Sequence, residues 1–181
     1  MIRLKEKYIK EVIPAMKEKF GYQNDLAVPR IVKVVVNTGF NPNVKDEKGQ
    51  EEIARDLALI TSQKAKSSPA KKAISSFKTR QGMVVGLTTT LRGQRMYDFL
   101  DRLIHIALPR SRDFHGLAEK NIDQVGNLNI GIKEQIIFPE IAAESTKNIF
   151  GLEVAVVTSA ENHQQGVELF KLLGFPLKQY G

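Results

Sequence analysis

The stretch KAKSSPAKKAISSFKTRQGMVVGLTTTLR, residues 64–92, falls into two contrasting halves. Met83 to Leu91 is apolar and threonine-rich, a composition that favours a strand. Side chains alternate across a pleated strand, so Leu87, Thr89 and Leu91 are expected to face a core, and Thr88, Thr90 and Arg92 the other way. In the first half Ser67-Ser68-Pro69 breaks any helix, and Gln81-Gly82 reads as a turn or loop tip. The spacing therefore predicts a long hairpin from Lys64 to Arg92 whose middle, Ala73 to Met83, projects as a basic loop.

Upstream, Tyr8, Ile9, Val12, Ile13, Met16 and Phe20 recur at three- and four-residue spacings and predict an amphipathic helix. Pro14 is expected to kink or split it, and Gly21 to cap it. Arg30 to Asn37 is a β-branched strand with Val32, Val34 and Val36 on one face and Ile31, Lys33, Val35 and Asn37 on the other. Gly39 to Asn43 reads as a loop. Ile53, Leu57, Leu59 and Ile60 mark a second helix from Glu47 to about Thr61. Downstream, Met96, Phe99, Leu100, Leu103, Ile104 and Ala107 predict a helix from Gln94 to Leu108, stopped by Pro109. Arg110 to Gln124 is polar and irregular. Asn127 to Lys133 and Leu152 to Ser159 read as strands, with Gln135 to Ile141 an extension or a short return at Pro139. Asn162 and Gln165 form a capping pair for a last helix, which Gly174 ends. This element order predicts one α+β domain over 1–181, mainly an antiparallel sheet with helices packed on one face and the basic hairpin loop, about 73–83, projecting.

The charge of the chain is concentrated in the same region. From Leu57 to Tyr97 there are 41 residues without an Asp or Glu, holding Lys64, Lys66, Lys71, Lys72, Lys78, Arg80, Arg92 and Arg95. The whole chain carries 27 Lys+Arg against 20 Asp+Glu, so the remainder holds 19 basic and 20 acidic residues. All of the net +7 thus arises from under a quarter of the length, which points to a polyanionic partner bound by one region. A solvated lysine-rich loop is the plainer alternative. The pI near 9.6 suits nucleic acid, and the stretch lacks the period of a membrane-surface helix. The chain has no cysteine, so disulfides, thiolate metal sites and Cys nucleophiles are excluded. The opening MIRLKEKYIKEV has the pattern of neither a secretory signal nor an anchor.

Enzyme motifs are missing: no phosphate-binding loop, dinucleotide fingerprint, HExxH or GxSxG occurs. His105, His115 and His163 lack metal-ligand spacing, and His105 reads as a core or edge residue of its helix. Asp98, Asp101, Asp113, Asp123 and Glu134 could in principle assemble a metal site for RNA cleavage. Asp98 with Arg102, and Asp101 with His105, equally fit helix-surface pairing. No catalytic residue, cofactor, metal or small-molecule substrate is expected.

Nucleic-acid backbone binding wants cations spread along a projecting element. The segment Ala73 to Gly82 supplies hydroxyls at Ser75 and Ser76, the cations Lys78 and Arg80, and Phe77, which either stacks on a base or ribose or anchors the loop to the body. Thr88, Thr90 and Arg92 place two hydroxyls and a guanidinium on one sheet face, and Asn37 joins them if the two strands pair. Such a face matches shape and backbone readout of folded RNA. A free-standing RNA chaperone and an RNA-processing enzyme are the competing classes.

Four motifs stand in order: Phe77-Lys78-x-Arg80-Gln81-Gly82, Thr90-Leu91-Arg92-Gly93-x-Arg95-Met96, Pro109-Arg110-x-Arg112-Asp113-Phe114-x-Gly116, and Glu134-Gln135-Ile136-Ile137-Phe138-Pro139-Glu140. With Phe20-Gly21-Tyr22, Val28-Pro29-Arg30, Ser62-Gln63-Lys64 and Gly174-Phe175-Pro176, they make the chain closely resemble, nearly end to end, the bacterial large-subunit ribosomal protein L-five family, which binds 5S rRNA in the central protuberance. The resemblance implies a non-enzymatic protein of the ribosome, in the cytoplasm or in an organelle, with large-subunit rRNA and 5S rRNA as partners. It implies a 5S rRNA face at Asn37, Gln63, Thr90 and Arg92, to which strand alternation adds Thr88, and the basic stretch is expected to give further rRNA-backbone contacts at Lys64, Lys66, Lys71, Lys72 and Arg95. It implies that the loop, with Ser75, Ser76, Phe77, Lys78, Arg80, Gln81 and Gly82, reaches P-site tRNA. A bridge to small-subunit protein S-thirteen is implied at Arg110, Arg112, Asp113, Glu134 and Glu140. No membrane role follows. His115 stands where the family usually has arginine, Asp123-Gln124-Val125-Gly126-Asn127-Leu128 replaces its usual Asp-Gly-Arg-Gly-Asn-Tyr, Pro69 a usual lysine and Ala73 a usual serine. Two arginines are thus lost on the bridge side while the acid-free stretch stays essentially intact.

Overall fold

A computed structural model describes residues 3–40, 47–75, 79–112, 114–141 and 148–178. The first helix runs unbroken through three segments: α1 (Leu4–Lys7), a π-helical turn (Tyr8–Val12) and α2 (Ile13–Phe20). Leu4, Tyr8, Val12 and Met16 are its buried stripe, each four residues from the last, whereas Ile9 is 55% exposed. A strict four-residue repeat overshoots a 3.6-residue turn, and the wider π turn takes up the excess. The π turn also ends two residues before Pro14, which has no N–H and whose ring would crowd the carbonyl four residues back. Gly21 closes the helix in the left-handed conformation at φ 75°.

The same device corrects the expectation that Pro109 stops the second long helix. Here α4 (Gly93–Arg102) passes through a π turn (Leu103–Ala107) into α5 (Leu108–Arg110), so the proline is absorbed inside the rod. Met96, Phe99, Leu100, Leu103, Ile104 and Ala107 are buried as the spacing required.

Five strands, β1 (Ile31–Gly39), β2 (Lys66–Pro69), β3 (Val84–Leu91), β4 (Leu128–Ile132) and β5 (Leu152–Thr158), make one antiparallel sheet in the order β2-β3-β1-β5-β4. With α3 (Glu47–Thr61) and α6 (His163–Leu173) the fold is α+β. On β1 the alternation holds for the buried Val34, Val36 and Thr38, but Val32 is 43% exposed and Ile31 is buried instead. Gln135 to Ile141 is a 3₁₀ turn (Gln135–Ile137) and return, not a strand. The chain packs as two compact units, Met1–Val34 with Arg92–Ile130 and Ala155–Gly181, and Val35–Leu91 with Gly131–Val154.

In the first unit α4 packs on α1, and α6 on the π turn of the first helix. The Tyr8 hydroxyl donates to the carbonyls of Pro29 (3.2 Å) and Val28 (3.4 Å), and burial pushes its pKa up to about 12. Asn162 caps α6 by accepting from Gln165 N–H at 2.9 Å. The Gln165 amide returns to Glu161 N–H, one residue before the cap, rather than to the cap itself. Asp123 organises the turn before β4 by accepting from the N–H groups of Val125 and Asn127 and from the Asn127 side chain.

In the second unit α3 lies on β3 and buries Ile53, Leu57 and Ile60, while Leu59 is 51% exposed. Asp56 shares the buried side, and burial raises its carboxyl pKa. Gln135 is fully buried and acts as a clip: its amide donates to Asn148 O at 2.7 Å and accepts from Phe150 N–H at 2.9 Å.

Candidate nucleic-acid interface

The hairpin forms as expected, with β2 antiparallel to β3 and Lys66 opposite Thr88, Ser67 opposite Leu87 and Ser68 opposite Gly86. The register slips between Ser68 and Pro69, where proline cannot donate to the ladder. Beyond it, Ala70 N–H bonds Met83 O, and Met83 N–H bonds Arg80 O to close a turn with Gly82 at φ 82°. A further bridge joins Ile74 and Thr79. Ser75, Arg80, Gln81 and Gly82 are exposed on this arm; Ser76, Phe77 and Lys78 lie outside the described residues.

On β3, Leu87, Thr89 and Leu91 are buried, and Thr88 and Thr90 are half-buried on the opposite side, as strand alternation predicts. The neighbour in the sheet is β1, so Asn37 does meet the threonines: Thr88 Oγ1 donates to Asn37 Oδ1 at 2.9 Å. From the other flank Ser68 Oγ lies 3.1 Å from Thr88 Oγ1. Opposite residues of an antiparallel pair point the same way, so Lys66 adds a cation beside Thr88.

Gln63 reaches the same face from the end of α3. Thr61, buried, donates to Leu57 O and Gln63 O at 2.7 and 3.0 Å, and Ser62 takes the left-handed conformation at φ 53° to turn the chain. The Gln63 amide then donates to Thr90 O at 3.1 Å. In register, residue 64 would face Thr90, yet β2 begins only at Lys66. The side chain of Gln63 therefore serves a carbonyl that the short strand leaves open. Arg92, exposed and extended at φ −141°, ψ 164°, follows Thr90 at the N-cap of α4.

Lys64, Lys66, Lys71, Lys72, Arg80, Arg92 and Arg95 are all exposed, and among the described residues no carboxylate pairs with any of them. Arg92 and Arg95 belong to the first unit; the others lie in the second, which thus offers amides, hydroxyls and unneutralised cations, groups suited to ribose and phosphate oxygens. The residues expected to form a bridge fall in different units, Arg110 and Arg112 in the first, Glu134 and Glu140 in the second, with Asp113 outside the described residues. Asp98, exposed, accepts from the Gln94 amide at 2.8 Å, and the half-buried Asp101 stands 3.5 Å from His105 one helical turn on. Among the described residues no three His, Asp or Glu side chains gather, and no helix there is long and apolar enough to cross a membrane. Ser68 is the face residue that sequence reasoning missed. Its two-residue spacing from Lys66 was visible, but the register against Thr88 was not.

A family model for ribosomal protein L5 matches residues 24–80, and one for the C-terminus of the ribosomal L5 family matches 84–177. The large ribosomal subunit protein uL5 of Chloroflexus aggregans is 51% identical over 177 residues, 98% of each chain. The uL5 proteins of Dictyoglomus turgidum (49% over 176 residues, 97% of this chain and 98% of that one) and Streptococcus pyogenes (48% over 174 residues, 96% and 97%) match almost as fully. With both parts of the family matched and nearly the whole length shared with such relatives, the chain belongs to the ribosomal protein L5 family, as a protein of the large ribosomal subunit and not an enzyme.

Proposed function

We propose that this protein, within the cytoplasmic ribosome, holds 5S rRNA on the sheet face made by Asn37, Gln63, Thr88 and Thr90 with Arg92, and so helps attach it to the large subunit at the central protuberance. The observation that carries this is the linked amide and hydroxyl set on β1, β3 and the end of α3, flanked by cations with no acid among them. Lys64, Lys66, Lys71, Lys72 and Arg95 add rRNA phosphate contacts. The arm around 73–83 contacts P-site tRNA through Ser75, Arg80, Gln81 and Gly82 together with Ser76, Phe77 and Lys78. Arg110, Arg112, Asp113, Glu134 and Glu140 serve the bridge to small-subunit protein S-thirteen, and the chain acts as a single domain.

Purified protein should bind 5S rRNA with an affinity that falls about a thousandfold between about 50 and 200 mM salt, as roughly six phosphate contacts require. Filter binding across a salt series measures this. Salt-insensitive binding, or none, would overturn the reading.

A further inference from the structure

Thr88 has one hydroxyl proton, and its geometry commits that proton to a carbonyl oxygen: Thr88 Oγ1 donates to Asn37 Oδ1 at 2.9 Å. The 3.1 Å contact between Ser68 Oγ and Thr88 Oγ1 needs a proton too, and Thr88 has none left to give. Ser68 must supply it. The three side chains therefore form a directed relay across three strands, from Ser68 on β2 through Thr88 on β3 to Asn37 on β1. Each bond in such a chain polarises the next. Gly86, opposite Ser68, offers no side chain to block the diagonal reach toward Thr88.

We infer that Ser68 and Thr88 are positioning residues that pin the Asn37 carboxamide by its oxygen, so that it meets RNA only as a hydrogen-bond donor through Nδ2. This rests on the RNA-binding reading above and deepens it. A carboxamide free to rotate presents either oxygen or nitrogen; one whose oxygen is held presents two N–H groups. Among the described residues no protein group accepts from Asn37 Nδ2, and Asn37 is half-buried on the open side of β1, between the inward-facing Val36 and Thr38. The RNA atom it selects is an acceptor: a ribose or phosphate oxygen, or an acceptor on a base edge, and not an exocyclic amine. Thr88 acts through Asn37, and Thr90, whose carbonyl is taken by Gln63, remains the hydroxyl offered directly.

Full-length variants assayed for 5S rRNA affinity at one fixed low salt test the relay, with thermal melts as a check on folding. Thr88→Val should weaken binding on the order of tenfold, and Thr88→Ser should restore it. Ser68→Ala should weaken it by a smaller factor, and the double variant should be no weaker than Thr88→Val alone, because both act on one group. Asn37→Asp keeps the acceptor for Thr88 but turns an oxygen toward RNA, and should lose more than Thr88→Val. Wild-type binding and a Thr90→Val defect, alongside normal binding by Thr88→Val and Ser68→Ala, would overturn the relay and leave the RNA reading standing. Absence of wild-type binding would overturn the RNA reading instead. In the free protein, NMR then decides the relay: the Asn37 side-chain NH₂ resonances should shift and broaden in Thr88→Val and recover in Thr88→Ser, and unchanged resonances would refute it.

Discussion

Thr89 is 2% exposed between the buried Leu87 and Leu91, and its Oγ1 has no hydrogen-bond partner among the described residues. A buried hydroxyl left unpaired costs free energy that an apolar group of the same shape does not. Thr89→Val should therefore raise stability by about 1 kcal/mol in urea unfolding, without weakening RNA binding. Thr90→Val, one residue on and facing out, should behave oppositely, with stability kept and 5S rRNA affinity lost. Asp123 presents a different balance. Burial works against its charge, but the backbone and side chain of Asn127 and the N–H groups of Val125 and Gly126 outweigh burial and hold its carboxyl below the ordinary range. A lowered folded pKa means that the stabilisation is complete above the unfolded value of about 4 and fades as pH falls through the folded one. Asp123→Asn should be less stable than wild type near neutrality by about 1–3 kcal/mol. That gap should close below about pH 4, as urea midpoints across pH will show.

At the scale of elements, β1 and β3 approach closely at Gly86. A Cβ built on Gly86 would stand 2.5 Å from Thr38 O, a backbone atom that cannot swing aside. Gly86→Ala should cost about 1–3 kcal/mol, measured by urea unfolding. It should weaken 5S rRNA binding as well, because it pushes apart the strands that bring Asn37 to Thr88. The two long helices show how a proline is tolerated inside a rod. In each, a π turn ends two residues before the proline, at Val12 before Pro14 and at Ala107 before Pro109. A sequence rule that ends helices at proline misplaces the end of the second helix, because packing of Leu103, Ile104, Ala107 and Leu108 holds the chain helical past the break.

Over the whole molecule, the positive excess is confined to one stretch, and that stretch divides into a sheet face and an arm. Neutralising Lys78 and Arg80 together should spare 5S rRNA binding and weaken tRNA retention on assembled ribosomes. Equal loss of 5S rRNA binding in this variant and in Thr90→Val would show that the arm and the face do one job. Local chemistry by itself determined much of this protein. Two-residue alternation placed Leu87, Thr89 and Leu91 inward and the intervening threonines outward, because the pleat allows no other arrangement. Helical spacing, the Asn162 cap and the left-handed glycines at 21 and 174 set where helices begin and end. The count of charges located the stretch that carries the exposed, acid-free run of cations. Tertiary structure alone decided which strands are neighbours, and with that the partners of Asn37, the reach of Gln63 to Thr90 and the diagonal contact of Ser68 with Thr88. These depend on register between segments 20 or more residues apart, and register is set by packing both faces of a sheet at once, which no window of sequence contains.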